Sequence, residues 1–236
     1  MTTAPGDDED DQFPMWTPDV TDEQLVAALE HGTTWAGGAD SVEEQTWVVG
    51  AAGAWDDLGC VLVPYRTDED GLEHDAHVLP RAPSGRWRPT GASSGTSLPE
   101  WVLERPDTGP TSWMGTQTQV VADQLLGYAL TESTSGGVEP STMWAACVAV
   151  LCSHQVERLQ LIHRSPTRDL VRELVIAVPP SGLVAFACPV VHHTGSVLLR
   201  ALGTDGARLS EETYWPLLDD DRHWPDESLW TGYDGR

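Results

Sequence analysis

Three short runs in this chain carry residue types that could do chemistry. Glu73-His74-Asp75-Ala76-His77 packs four potential metal ligands into five positions. If the run is a strand, Glu73, Asp75 and His77 share one face and His74 points the other way, because successive side chains alternate. That trio would offer a metal two carboxylates and an imidazole, a set suited to zinc or manganese and to metal-assisted hydrolysis. Its plainer reading is a solvated acidic turn, since Asp68-Glu69-Asp70 lies just before it.

Gly91-Ala92-Ser93-Ser94-Gly95 reproduces the G-x-S-x-G pattern. In a nucleophile elbow that pattern occupies a tight turn from a buried strand into a helix, which lifts the serine clear of the sheet. Here Leu98-Pro99 follows too soon for a helix of any length, so Ser93 is expected in a flexible loop and is a weak nucleophile candidate. Arg164, Arg168 and Arg172 are spaced by four. With Ser165 as N-cap and Pro166 at the first helical position, their guanidiniums would line one face of a short helix as an anion-binding stripe. Pairing with the chain's own carboxylates is the competing account.

His154, His163 and the pair His192-His193 fall at or near expected strand ends. Together with Cys152 they could support thiol chemistry, although spacing alone does not bring them together. The four cysteines, Cys60, Cys147, Cys152 and Cys188, form no CxxC pair and show no metal-ligand spacing. They read as reduced, buried thiols. No cofactor fingerprint occurs, so no cofactor is expected.

Positioning these residues requires elements. Residues 1–15 read as an acidic disordered tail, and residues 16–112 as a small α+β region ending in a long Pro/Gly/Ser loop. Within it, Thr21 and Gln24 form a capping-box pattern ahead of Leu25, Val26 and Leu29, with Gly32 as the stop. Residues 46–49 and 59–65 read as strands separated by a break at Gly50–Gly53, and His77-Val78-Leu79 as a further strand. Residues 113–140 are expected to hold a central helix over 117–131 and a flexible joint, because Val120, Val121, Leu125, Tyr128 and Ala129 recur at helical spacing. Residues 141–208 read as an antiparallel β domain, a sandwich or half-barrel. Its first strand, Trp144 to Leu151, is apolar without alternation and suits burial on both faces. Pro179-Pro180-Ser181-Gly182 reads as the turn of a hairpin. Residues 209–236 read as an acidic, Trp-bearing tail. The expected fold class is therefore α+β, with an N-terminal helix and short strands, a central helix and a C-terminal β domain.

Charge supplies the functional clue. The 236 residues contain no lysine, 13 cations against 37 acids, and a net charge of −24. The first 65 residues carry acids and no arginine, whereas 141–208 is slightly basic. A strongly acidic surface repels nucleic-acid phosphate and anionic lipid, so neither nucleic acid nor membrane is an expected partner. The N-terminus lacks the basic and apolar regions of a secretory signal, and a cytoplasmic protein is expected. Trp47, Trp87 and Trp144 are expected in the core, and the Trp residues of loops can pin irregular segments. Trp215, Trp224 and Trp230, beside Asp219, Asp220 and Asp221, are expected as partner anchors, because exposed Trp is enriched at interface hot spots.

The leading expectation is a non-catalytic acidic subunit, of the inhibitor, immunity or chaperone type, acting on a basic protein surface or on a second copy of itself. The competing one is a hydrolase using Glu73, Asp75 and His77 with a metal, or Ser93. Metal analysis separates them. Stoichiometric zinc or manganese that disappears in His77→Ala would decide for the enzyme.

Overall fold

Thr21 and Gln24 cap each other at the start of α1 (Asp22–His31): the Thr21 side chain accepts from the Gln24 N–H, and the Gln24 side chain accepts from the Thr21 N–H at 2.9 Å. Two orphan donors of the first turn are thereby satisfied, and Gly32, at φ 80°, ends the helix. The computed structural model describes residues 18–38, 41–43, 46–67, 71–107, 117–129, 142–164, 171–189 and 196–214. Among them α1 is the sole α-helix. Eleven strands follow: β1 (Ala51–Trp55), β2 (Leu58–Arg66), β3 (Leu72–Pro80), β4 (Gly91–Ser97), β5 (Thr118–Ala129), β6 (Thr142–Cys152), β7 (Arg158–Arg164), β8 (Val171–Ala177), β9 (Leu183–Pro189), β10 (Ser196–Leu202) and β11 (Arg208–Tyr214).

They form three antiparallel sheets. A first sheet runs β1-β2-β3-β4, a middle sheet β5-β6-β9 and an outer sheet β11-β10-β7-β8. Alternation assigns the layers. Ala145, Cys147, Ala149 and Leu151 of β6 join Leu183, Ala185 and Ala187 of β9 in one core against Cys60, Leu62, Ala76 and Val78 of the first sheet. The intervening residues Ala146, Val148, Val150 and Cys152, with Val184, Phe186 and Cys188, join a second core with Leu159, Leu161, Val197 and Leu199 of the outer sheet. A third core sets Leu25 and Ala28 of α1 on Val61, Val63 and Leu79, the other face of the first sheet. The order is helix, first sheet, middle sheet, outer sheet. The expectation that β6 is buried on both faces holds.

The α+β fold class with a central helix is overturned. Residues 118–129 are β5, paired along β6 from Thr118↔Cys152 to Ala129↔Thr142. The register shifts between Val120 and Ala122, so Val121 is an extra residue. The bulge puts the neighbours Val121 and Ala122 against the same core, with Val120 against the other, and so breaks the period of two, which leaves spacings that imitate a helix.

Two smaller expectations change with it. The break read at residues 50–53 overlaps β1, which runs from Ala51 to Trp55, whereas of the stretch 46–49 only Trp47 pairs, in an isolated bridge to Tyr65. The expected β8–β9 hairpin is a passage between sheets: the turn closes through the Gly182 N–H to the Pro179 carbonyl, but β8 pairs with β7 and β9 with β6. The core also crosses residues 112 and 141, since one cluster runs from Trp35 to Ala187. Residues 1–15 and 131–140 lie outside the described residues.

Small residues explain how the first two layers meet. A Cβ on Gly53 of β1 would overlap the carbonyl oxygen of Ala185 on β9. Backbone meets backbone there, with no flexible side chain to move aside. Gly53→Ala is therefore expected to lower stability by about 1–3 kcal/mol, the usual cost of overpacking. Urea unfolding should show a lower midpoint at unchanged slope. A midpoint equal to the parent's would refute the close approach.

Candidate functional site

β3 stands between two layers, so its alternation sorts its polar residues. Leu72, Ala76 and Val78 enter the core shared with the middle sheet, and His74 lies on that face with no exposed surface. Glu73, Asp75 and His77 lie on the other face, where Leu79 meets the α1 core. Asp75 is buried at 7% exposure, while Glu73 and His77 are half-buried. Among the described residues no group of three or more His, Cys, Asp or Glu side chains is arranged to hold a metal ion, this trio included.

His74 instead bridges sheets. Its Nε2 lies 2.9 Å from Nε2 of Gln124 on β5, a contact in which the neutral ring accepts from the amide. Burial drives the imidazole down to about 4, against the opposing pull of the Thr96 backbone. His77 is also lowered by burial, with the Asp22 carboxylate of α1 pulling the other way. His163 of β7 is lowered by burial and by the Arg172 guanidinium, and meets Trp55 edge to face at 5.9 Å between centroids. Each of the three stands where layers touch, and burial favours the neutral form of each.

Ser93 is on β4, opposite Ala76 of β3. The loop expected there is a strand, and that strand runs from Gly91 to Ser97 without the strand–turn–helix corner of a nucleophile elbow. Arg172 is on β8 rather than on a helical turn, and its Nη1 bonds Asp56 Oδ2 at 2.7 Å. Arg164 closes β7 opposite Val171. Arg168, His192, His193, Trp215, Asp219, Asp220, Asp221, Trp224 and Trp230 lie outside the described residues.

All four cysteines are free and buried. Cys147 is held well above the ordinary thiol range, first by its hydrogen bond with Cys60 and then by burial. Burial pushes Cys152 and Cys188 up to about 12. A thiol is a nucleophile only as thiolate, so these three have no such role near neutrality.

One heavily bonded cation is a residue that spacing did not single out. Arg105 donates to four backbone carbonyls: Ser153 at 2.9 Å, Val156 at 2.8 Å, and Cys152 and Pro179 at 3.3 Å. It ties the end of β6, the entry to β7 and the turn before β9 into one corner. A Cβ on Gly182 would strike both the Cys152 carbonyl oxygen and the Arg105 stem, so the glycine there is a packing requirement as well as a turn residue at φ 80°. Trp35 pins an irregular segment in the manner expected of a loop Trp, buried in the core with its indole N–H donated to Ser41 Oγ at 2.9 Å.

One concavity was not foreseen. Asp22, Glu23, Val26, Ala27 and Glu30 of α1 face Trp87, Arg88 and Pro89 across a cleft of about 430 Å³. A hint was present in the sequence, since Asp22, Val26 and Glu30 stand at i, i+4 and i+8 along the helix flank beside Leu25.

No protein-family model, curated protein or solved structure matches this chain.

The neutral histidines fix a pH dependence. A histidine at about 4 in the fold and 6.5 when unfolded takes up its proton on unfolding between those values. Stability from His74 is therefore complete above pH 6.5, lost as pH falls toward 4, and worth on the order of 3 kcal/mol. His74→Gln keeps an amide against Gln124 but cannot titrate. Its unfolding midpoint is expected to fall less steeply than the parent's between pH 7 and 4.5. Parallel curves would remove His74 from the account.

Proposed function

We propose that this chain is a non-catalytic binding or assembly subunit of the cytoplasm that engages a basic protein surface. The supporting observation is where its few cations go. Arg66 makes a bidentate pair with Glu100, at 2.8 and 2.6 Å, and also donates to the Val42 carbonyl. Arg172 holds Asp56, Arg200 and Arg208 both hold Glu211, and Arg105 is taken up by carbonyls. These guanidiniums are neutralised or satisfied within the fold. The chain's excess of acid, 37 against 13, is left to act outward.

Such a field speeds encounter with a positively charged partner and rejects polyanions, while apolar anchors supply the lasting affinity. Exposed Trp101, at 45%, is one anchor of the required kind on the described surface. No helix among the described residues is long and apolar enough to cross a membrane. Residence in the cytoplasm also accords with four unpaired thiols.

The test is capture from native lysate by the tagged full chain at 50 and 300 mM salt, with the captured proteins identified and the chain's own mass measured in solution. The expected outcome is a stoichiometric partner of basic isoelectric point, retained at low salt and shed at high salt. A self-complex with the same salt response supports the homo-oligomeric form of the proposal. A chain that stays solitary at both salts overturns it.

A further inference from the structure

The cleft beside α1 has the chemistry to give the proposed partner a definite seat. Its helix wall carries Asp22 and Glu23 at one end and Glu30 at the other, all exposed, with Val26 and Ala27 between them. Trp87 and Pro89 stand opposite, both half-buried. Acids therefore mark the two ends of an apolar floor. Asp22 to Glu30 spans eight helical residues, about 12 Å at the α-helical rise. In an extended peptide, side chains four residues apart lie on one side and about 13 Å apart.

Arginine and lysine are built for such a floor. Their aliphatic stems lie along apolar and aromatic surface while the charged head reaches a carboxylate at the margin. Trp87 already accepts a cation in this manner, since Arg81 lies over its ring at 5.4 Å. Among the described residues lining the cleft, Arg88 is the one cation against three carboxylates, so that lining keeps a net negative charge. The floor is also firm. Trp87 packs into the core that Leu25 and Ala28 form with the first sheet, and residues 87–89 are held by the Arg81–Trp87 bridge and by the Arg88 N–H donated to the Pro80 carbonyl at 3.0 Å.

We infer that the cleft between α1 and Trp87–Pro89 seats an extended segment of a partner protein carrying two basic side chains four residues apart. This rests on the reading of the chain as an acidic binding subunit and gives that reading an address. Asp22 and Glu23 take one basic head, Glu30 takes the other, and the backbone between them crosses Val26 and Ala27 opposite Trp87. Arg88 opposes the ligand and limits its affinity.

The probe is a fluorescein-labelled nonapeptide of alanine and serine with arginines four residues apart. A peptide of the same composition with the arginines adjacent serves as comparison. Binding of each to the full-length protein is followed by anisotropy at 50 mM salt. The double variant Glu23→Gln/Glu30→Gln removes two exposed charges from the cleft, and Glu104→Gln/Asp107→Asn removes two exposed charges elsewhere. Thermal midpoints within a degree or two of the parent establish that both fold. The expected result is a five- to tenfold weaker Kd, roughly, for the cleft variant, the effect of two partly exposed ion pairs. The remote variant should change by less than about twofold, the spaced peptide should bind better than the adjacent one, and Arg88→Ala should tighten binding. Equal losses in the two double variants would overturn the cleft as the seat while leaving a salt-sensitive acidic binder. Failure of the parent to bind either peptide would overturn the cleft as the seat, while the salt-dependent capture from lysate decides the acidic binder separately.

Discussion

The middle sheet is apolar on both sides, and most of the architecture follows from its need to be covered twice. A strand such as β6, with Ala145, Cys147, Ala149 and Leu151 on one face and Ala146, Val148, Val150 and Cys152 on the other, has no side that water can wet. Each large buried aliphatic or aromatic side chain contributes about 1.5–3 kcal/mol relative to exposure. Neither face can be left bare. The first sheet covers one and the outer sheet the other, and the first sheet in turn needs α1 for its own far face. Stacking depth is set by the residues at the contact. Alanine on β6 and β9 and glycine at residue 53 draw the first two layers close, while Phe186 and Trp55, at 6.0 Å between ring centroids, bring aromatic bulk to the second core.

That same constraint decided which parts of the fold were legible in the sequence. β6 was readable because double burial writes itself as an unbroken apolar run. α1 was readable because its capping box and its Leu25–Leu29 stripe agree. β1 was not, because Ala51-Ala52-Gly53-Ala54 has the composition of a break and its reason for being small lies more than a hundred residues away on β9. β5 was misread for a different cause. A single bulge at Val121 shifted the phase of alternation, and the apolar positions on either side of the shift fell at helical intervals. The β8–β9 turn was located correctly and its partners wrongly, since turn chemistry fixes a reversal of the chain but not the sheet to which each arm belongs.

The candidate site divides along similar lines. Strand alternation sufficed to place Glu73, Asp75 and His77 together and His74 apart. What lay on either side of β3 was beyond it: a middle sheet offering Gln124 to His74, and a helix offering Asp22 to His77. Arginine spacing suggested a helical stripe, but Arg172 lies on a strand and answers Asp56, a residue 116 positions earlier. Arg105 escaped notice altogether because its ligands are main-chain carbonyls, and a carbonyl leaves no mark in a sequence. The cleft beside α1 was half visible, as one polar line on a helix, and needed Trp87 and Pro89 from another part of the chain to become a concavity.

The chain order of the layers has a consequence in time. α1 and β1–β4 are neighbours in sequence and pair locally, as a helix and a meander. By residue 107 a ribosome has synthesised the whole first sheet, including Cys60, Leu62, Ala76 and Val78 on its inner face. The strand that lies closest against that face, β9, ends at Pro189, about eighty residues later. At a synthesis rate of roughly 5–20 residues per second, that surface waits about 4–16 seconds for its cover. During this interval the nascent sheet is a half-built sandwich with an open edge. The first 65 residues, with acids and no arginine, carry charge of one sign, and like charge keeps chains apart.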